Sequence, residues 1–303
     1  NPDVIFGTLT YMPNINKLMI YLKDKLKKPM IVYSWDDVYS LNQFSISPIF
    51  WFRKFIQRKH IRRCVKRCEF LYTITEQMQK EYAKYFNKEC KMLYKGYDFI
   101  TPTFSREKIT LPLKFIFMGN IGAGRWQTLS KLASAIHQLN TTNQRQVAVL
   151  DIYTLSPKSK DMIDKLSIEG ASNLKDVVDT SEVMAVQQSA DILVHVEPTT
   201  KSERMFYRLS FSTKIVDYFY NSRCILGIGG KTATLDYLKD QDAGIVLYDL
   251  NDLDKVLLNL VENPEIINQF ASKAWDCGKR NHQRSQLKKL LLDDFIKASG
   301  FYF

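Results

Sequence analysis

Histidine is scarce in this chain, with four residues, His60, His137, His195 and His282, standing far apart. There is no HExxH and no paired Cys/His spacing, which excludes the common structural zinc modules. The five cysteines, Cys64, Cys68, Cys90, Cys224 and Cys277, form no CxxC. They are too few and too scattered for a disulfide framework, and an odd count points to a reducing compartment. No apolar run approaches the roughly 18 residues of a membrane span, and no signal peptide is visible. Acid is missing altogether between Arg53 and Arg67, where eight Lys/Arg stand. Removing those eight from the net charge of +11 leaves +3, so the basicity is largely local.

What is present is ordinary globular material. Hydrophobic residues make up 45% and charged residues 25%, which excludes a disordered or collagenous chain. At roughly 150 residues per domain, 303 residues predict about two domains. Short apolar runs alternate with helical periodicities throughout. Strands are expected at 3–6, 30–34, 70–74 and 91–94, with helices at 13–28, 48–66 and 75–86 between them. A linker is read over 101–112, where Pro102 and Pro112 fall. A second series follows, with strands at 114–118, 147–153, 191–195, 224–227 and 244–247 and an all-helical end from Asn251. Buried strands alternating with helices predict parallel sheets, hence α/β, with two Rossmann-like lobes facing across a cleft. The divisions expected are a short first lobe over 1–100, the linker over 101–112, a second lobe over 113–280, and a terminal helix over 281–303 packing back on the first lobe. With four strands and Asn1 as its first residue, the first lobe reads as lacking an opening strand.

Ligands in such sheets sit at the carboxyl ends of the strands. The loop Gly119-Asn-Ile-Gly122-Ala-Gly124 precedes Arg125 and a helix. Glycine permits close approach of backbone to an anion, and a forked guanidinium suits phosphate. The same residues also make an ordinary strand-to-helix turn with a solvated arginine. They are not the dinucleotide fingerprint, because Gln127 stands where a third small residue is needed. Ser212 or Thr213 can cap a helix that carries Lys214 in its first turn, where a cation is unfavourable unless an anion shares the position. Asp217 lies three residues on, placed to hydrogen-bond a ribose diol or simply to pair with Lys214. Asp240-Gln-Asp242 and Asp252-Leu-Asp254 fit a DxD metal string but read better as helix caps and turns, so no metal site is expected. Gly227–Thr232 imitates a phosphate loop, but Ile225 stands where its first glycine belongs.

Gly119–Trp126, Ala190–Pro198 and Arg208–Tyr218 together resemble the donor lobe of a GT-B glycosyltransferase, in particular family 4 of bacterial capsule and surface-polysaccharide clusters. Ser34–Asp37, Thr73–Met78 and Lys95–Asp98 follow the order seen in the first lobe of that group. The resemblance implies sugar transfer from a nucleotide-diphosphate sugar to a carbohydrate or lipid-linked acceptor, with retention and without a metal or other cofactor. It places Arg125 and Lys214 on the donor diphosphate and Asp217 on the ribose. Gly119, Asn120, Gly122, Gly124, Arg208, Ser212, Thr213 and Glu197 fall around the donor. Asp37 falls near the reacting atoms and Asp36 on the acceptor side, although a hydrogen-bonded turn accounts equally well for either. Many members carry two glutamates with seven residues between them; here the second position is Asp217 and the first is Leu209, leaving Arg208, Ser210 or Glu197 as substitutes. That departure keeps two other readings open, a non-catalytic scaffold of the same fold and a nucleotide-sugar epimerase. The basic helix, with Trp51, Arg58 and Arg62, suits either a solvated surface or an anionic bilayer face. No recognition module frames it for nucleic acid. The expected location is cytoplasmic, peripheral on the inner face of the plasma membrane.

Overall fold

The computed structural model describes residues 2–41, 43–102 and 108–300. Residues 103–107 of the expected linker lie outside that range. The chain divides into two compact units. The first comprises residues 1–96, Met205–Ser212 and 284–303, and the second residues 97–204 and Thr213–Gln283.

The first unit alternates β1 (Ile5–Thr8), α1 (Pro13–Leu26), β2 (Met30–Ser34), α2 (Pro48–Arg67), β3 (Leu71–Thr73), α3 (Glu76–Phe86) and β4 (Cys90–Met92). Its four strands form one parallel sheet in sequential order. Local chemistry sets the helix ends. Pro48 opens α2 at a position whose N–H has no helical partner, and the Ser47 hydroxyl accepts from the Phe50 N–H. The Thr75 hydroxyl accepts in the same way from Met78, and Asn87 in the left-handed region ends α3.

The second unit contains β5 (Leu113–Met118), α4 (Arg125–Thr142), β6 (Ala148–Tyr153), α5 (Lys160–Leu166), β7 (Ser172–Lys175), α6 (Val183–Gln188) and β8 (Ile192–Val196). After α7 (Lys201–Tyr207) come α8 (Lys214–Tyr220), β9 (Cys224–Ile228), α9 (Ala233–Asp240), β10 (Ile245–Leu247), α10 (Leu253–Glu262) and α11 (Glu265–Asn281). Its six parallel strands run β10-β9-β8-β5-β6-β7. Read from the other edge this is the 3-2-1-4-5-6 order of a dinucleotide-type sheet, with its switch point between β5 and β8. β8 and β9 are buried along their whole length, as strands covered on both faces must be. Leu129, Leu132 and Ile136 of α4 pack on Phe115, Leu150 and Val194 in the same core.

Two segments distant in sequence complete the first unit. Helix α12 (Arg284–Ser299) sets Phe295 against Phe6, with ring centroids 5.4 Å apart, and Leu291 on the cluster of Ile31, Phe70 and Tyr72. Its Asp294 accepts from the Tyr72 hydroxyl and the Lys91 ammonium. The stretch Met205–Ser212, read from sequence as part of the second lobe, belongs to the first. Leu209 is 2% exposed there, and its carbonyl accepts from the Thr75 hydroxyl at 2.9 Å. The unit boundary at Gly96/Tyr97 falls a few residues before the expected linker. Two elements went unread in the sequence. β7 is an edge strand made of Ser-Asn-Leu-Lys, without a β-branched residue, and α7 is short with no buried residue.

Candidate donor site in the second unit

At the carboxyl ends of β5 and β6 the second unit holds a cavity of about 770 Å³. One side is polar. Gly119, Asn120 and Gly122 of the loop after β5 line it, with Lys214 and Asp217 of α8. The apolar lining includes Tyr153 at the end of β6, Leu155 after it, Val177 and Val178 after β7, Met162 of α5 and Val183 of α6, with Thr154, Ser156 and Gln187 among them. These apolar residues were not singled out in the sequence. The signal available was positional, since they follow strand ends of one sheet.

Glycine at position 119 is what lets the lysine in. A Cβ built there would stand 2.4 Å from the Lys214 Nζ. The ammonium therefore rests over the bare backbone at the end of β5. Burial lowers the Lys214 pKa below the ordinary lysine value, and the nearby Arg125 charge lowers it further, with Asp217 opposing both. Arg125, whose charge acts on Lys214, is not among the residues that line the cavity. Thr213 stands at the N-cap of α8 without a capping side-chain hydrogen bond, so the expected hydroxyl cap is not made.

Arg125 is oriented from behind. Its guanidinium meets the Glu197 carboxylate at 3.3 Å, and Glu197 also contacts His195 Nε2 at 3.1 Å. Burial alone would raise the pKa of Glu197, but His195 and then Arg125 outweigh it and hold the carboxyl below its ordinary value. Glu197 thus anchors the arginine and is itself buried. The loop Gly119–Gly124 is pinned internally. The Gly122 N–H donates to Asn120 Oδ1 at 2.6 Å, and the Ser156 hydroxyl donates to the same oxygen at 3.2 Å. The Gly122 N–H is therefore engaged within the loop. Gly124 takes φ +80°, and a Cβ there would strike the Glu203 carboxylate and Pro198. At the end of β9 Gly229, at φ +127°, passes so close to Glu197 at the end of β8 that a Cβ would lie 2.1 Å from its carbonyl oxygen. Thr232 caps α9 by accepting from the Leu235 N–H, which gives the phosphate-loop imitation a structural role.

Asp217 faces the cavity, and one of its oxygens accepts from the Tyr97 hydroxyl at 2.6 Å. Tyr97 stacks on Tyr220, with centroids 4.6 Å apart and planes 20° apart. The sequence reading quoted Tyr97 within Lys95–Asp98 without assigning it to the site.

Several expected site residues lie elsewhere. Arg208 is in the first unit, where its guanidinium forks onto both oxygens of Glu81, one contact at 2.7 Å. Ser210 and Ser212 are also in the first unit, and the Ser210 hydroxyl donates to Asp36 at 2.5 Å. Asp37, expected near the reacting atoms, is 1% exposed. It accepts from the Tyr82 hydroxyl at 2.9 Å and from the backbone and side chain of Ser40. Those bonds make it the organiser of the turn after β2. Trp51, Arg58 and Arg62 all lie along α2 in the first unit.

Among the described residues no cluster of His, Cys, Asp or Glu could hold a metal ion, and no helix is long and apolar enough to cross a membrane. No protein-family model and no curated protein sequence matches the chain. Solved structures do. The chain superimposes on one from the GtfA/B complex with a TM-score of 0.65 at 10% identity, covering 93% of this chain and 55% of that one. It therefore spans about half the length of the GtfA/B chain. WaaG, a glycosyltransferase involved in lipopolysaccharide biosynthesis, matches with a TM-score of 0.58 at 14% identity, over 90% of this chain and 79% of that one. Anabaena HepE in complex with UDP-glucose matches with a TM-score of 0.66 at 11% identity, over 96% and 79%. The fold is that of the GT-B glycosyltransferases, two Rossmann-like units with parallel sheets.

Proposed function

We propose that the protein transfers a glycosyl group from a nucleotide-diphosphate sugar to a carbohydrate or lipid-linked acceptor in surface-polysaccharide synthesis. The observation that carries this reading is the cavity at the β5 and β6 ends, with Lys214 seated over Gly119 and Asp217 beside it. Its apolar wall suits a nucleobase, Asp217 a ribose hydroxyl, and the cations a diphosphate. HepE, crystallised with UDP-glucose, makes UDP the first nucleotide to try. WaaG supports the surface-polysaccharide setting.

In the proposed reaction an acceptor hydroxyl oxygen forms a bond to the anomeric carbon while the bond from that carbon to the diphosphate oxygen breaks. The acceptor proton passes to the departing phosphate, and the configuration is retained. Lys214 and Arg125 meet the negative charge that grows on the leaving group, which is electrostatic stabilisation without a metal. Glu197 acts through Arg125 as a positioning residue. The protein works from the cytoplasmic face, with Trp51, Arg58 and Arg62 of α2 toward an anionic bilayer.

Calorimetric titration with UDP and UDP-sugars, followed by transfer assays, tests this. Arg125→Ala with Lys214→Ala is expected to lower turnover by about 10³-fold or more with the fold retained, at a melting temperature lowered because the buried Glu197 carboxylate loses a partner. Turnover by the double variant at the original rate would refute their role. A second reading is favoured by Leu209, which is core where the resembled family carries a carboxylate. A nucleotide-binding scaffold predicts UDP binding with no transfer to any acceptor, and the same assays separate the two.

A further inference from the structure

One face of α2 lines a cavity of about 540 Å³ in the first unit. Trp51 and Phe55 stand toward one end, with Lys54, Arg58, Lys59, Arg62 and Arg63 along the rest. Steps of three and one along the chain, four residues per pair, keep all seven on one helical stripe. A solvated helix face ordinarily mixes signs, but this one holds five cations and no carboxylate. The guanidinium groups are held in place: Arg58 lies 4.4 Å over the Tyr39 ring, and Arg62 Nε donates to the Tyr39 hydroxyl. Arg58 Nε is buried and has no hydrogen-bond partner. The Asp37 carboxylate offsets Lys54, while the four other cations ordered around this cavity repel each other and the Arg58 Nε beside them lacks an acceptor. A compact multivalent anion answers both conditions. The surroundings say where that anion is carried. Phe44, Ile46, Ile49, Phe52 and Phe55, clustered at this end of the helix, are 63–95% exposed. A free anion makes no use of such a rim, whereas a bilayer buries it.

We propose that this stripe binds the phosphate monoester or diphosphate headgroup of a bilayer lipid, the arginines gripping the phosphate and the aromatic rim entering the acyl boundary. The proposal deepens the reading that α2 faces a bilayer, replacing a diffuse basic surface with a discrete headgroup site.

The full chain is sedimented with phosphatidylcholine vesicles carrying either phosphatidic acid or phosphatidylserine, adjusted to equal surface potential and without nucleotide. Binding to phosphatidic acid is expected to be about tenfold tighter, because only a monoester offers a doubly charged, multiply accepting group. Arg58→Gln with Arg62→Gln, and separately Lys59→Gln with Arg63→Gln, should abolish that preference; the second pair leaves the Tyr39 stacking intact. Arg53→Gln with Arg67→Gln removes the same charge off the stripe and should retain it. Equal binding to both lipids, binding to neither, or an equal loss in the off-stripe pair overturns the proposal. Inorganic pyrophosphate binding as tightly without vesicles overturns the lipid source. UDP titration of the same samples reads the donor site independently.

Discussion

At the residue scale the second unit's site depends on the absence of one methyl group. Gly119→Ala would place its Cβ where the Lys214 ammonium now rests. The obstructed atom is the tip of a flexible side chain, so the fold should tolerate the change while the cation moves aside. UDP affinity is expected to fall roughly tenfold, the value of one charge-assisted contact, with an unchanged melting temperature. A variant that keeps its affinity would detach Lys214 from the nucleotide. Lys214 also has a pH signature. Its pKa in the free protein is lowered by burial and by Arg125, so it loses its proton at a lower pH than an ordinary lysine. An arriving diphosphate favours the charged form and raises that pKa again. Between the lowered value and the ordinary one, binding therefore takes up a proton, and affinity declines as pH rises through this window. Calorimetry in buffers of different ionisation enthalpy should report net uptake at alkaline pH, and Lys214→Ala should remove it.

At the element scale, the carboxyl ends of β8 and β9 meet by backbone touching backbone. Gly229 packs on the Glu197 carbonyl with φ +127°, a conformation closed to L side chains. Gly229→Ala combines that strain with a clash against backbone that cannot step aside, and should cost roughly 3–5 kcal/mol. Gly170 also has positive φ, but nothing lies within 4 Å of its Cβ position. Gly170→Ala should cost only about 1 kcal/mol, so urea denaturation of the pair separates close approach from strain. These elements differ in how far sequence betrayed them. β8 and β9 are continuous apolar runs and were readable, as was α4 from its periodicity. β7 carries no such pattern because an edge strand need bury little. Among site residues, Lys214, Asp217 and Gly119 were legible because glycine, cation and carboxylate at strand-to-helix junctions have a chemical reason. For Arg208, nothing local reveals that Glu81, 127 residues away in sequence, takes its guanidinium. Asp37 looked catalytic by position, yet its partners Tyr82 and Ser40 make it a buried turn organiser, which only tertiary structure discloses.

At the scale of the whole molecule, the two units are not two consecutive stretches of chain. The first is assembled from three segments, and its last, α12, comes after the whole of the second unit. On the face of the first unit's sheet where Ile31, Phe70 and Tyr72 cluster, Phe295 and Leu291 pack against them, and Phe295 also meets Phe6. Asp294 adds the acceptor for the Tyr72 hydroxyl and the Lys91 ammonium, which would otherwise lose their partner. The second unit has its own larger core and, with Gly119, Lys214 and Asp217, all of the cavity assigned to the donor. Ending the chain after Gln283 should therefore divide the molecule's properties. Loss of the α12 contacts costs the first unit roughly 3–5 kcal/mol, a fall of about 10 °C or more in its melting transition. UDP titration should give the same affinity as the full chain, because no residue of the cavity belongs to the deleted helix. Scanning calorimetry with and without UDP distinguishes the outcomes: the nucleotide should raise the transition of the second unit in both chains by mass action. A truncated chain that melts normally but no longer binds UDP would mean that the donor site draws on α12, contrary to the arrangement of residues around the cavity.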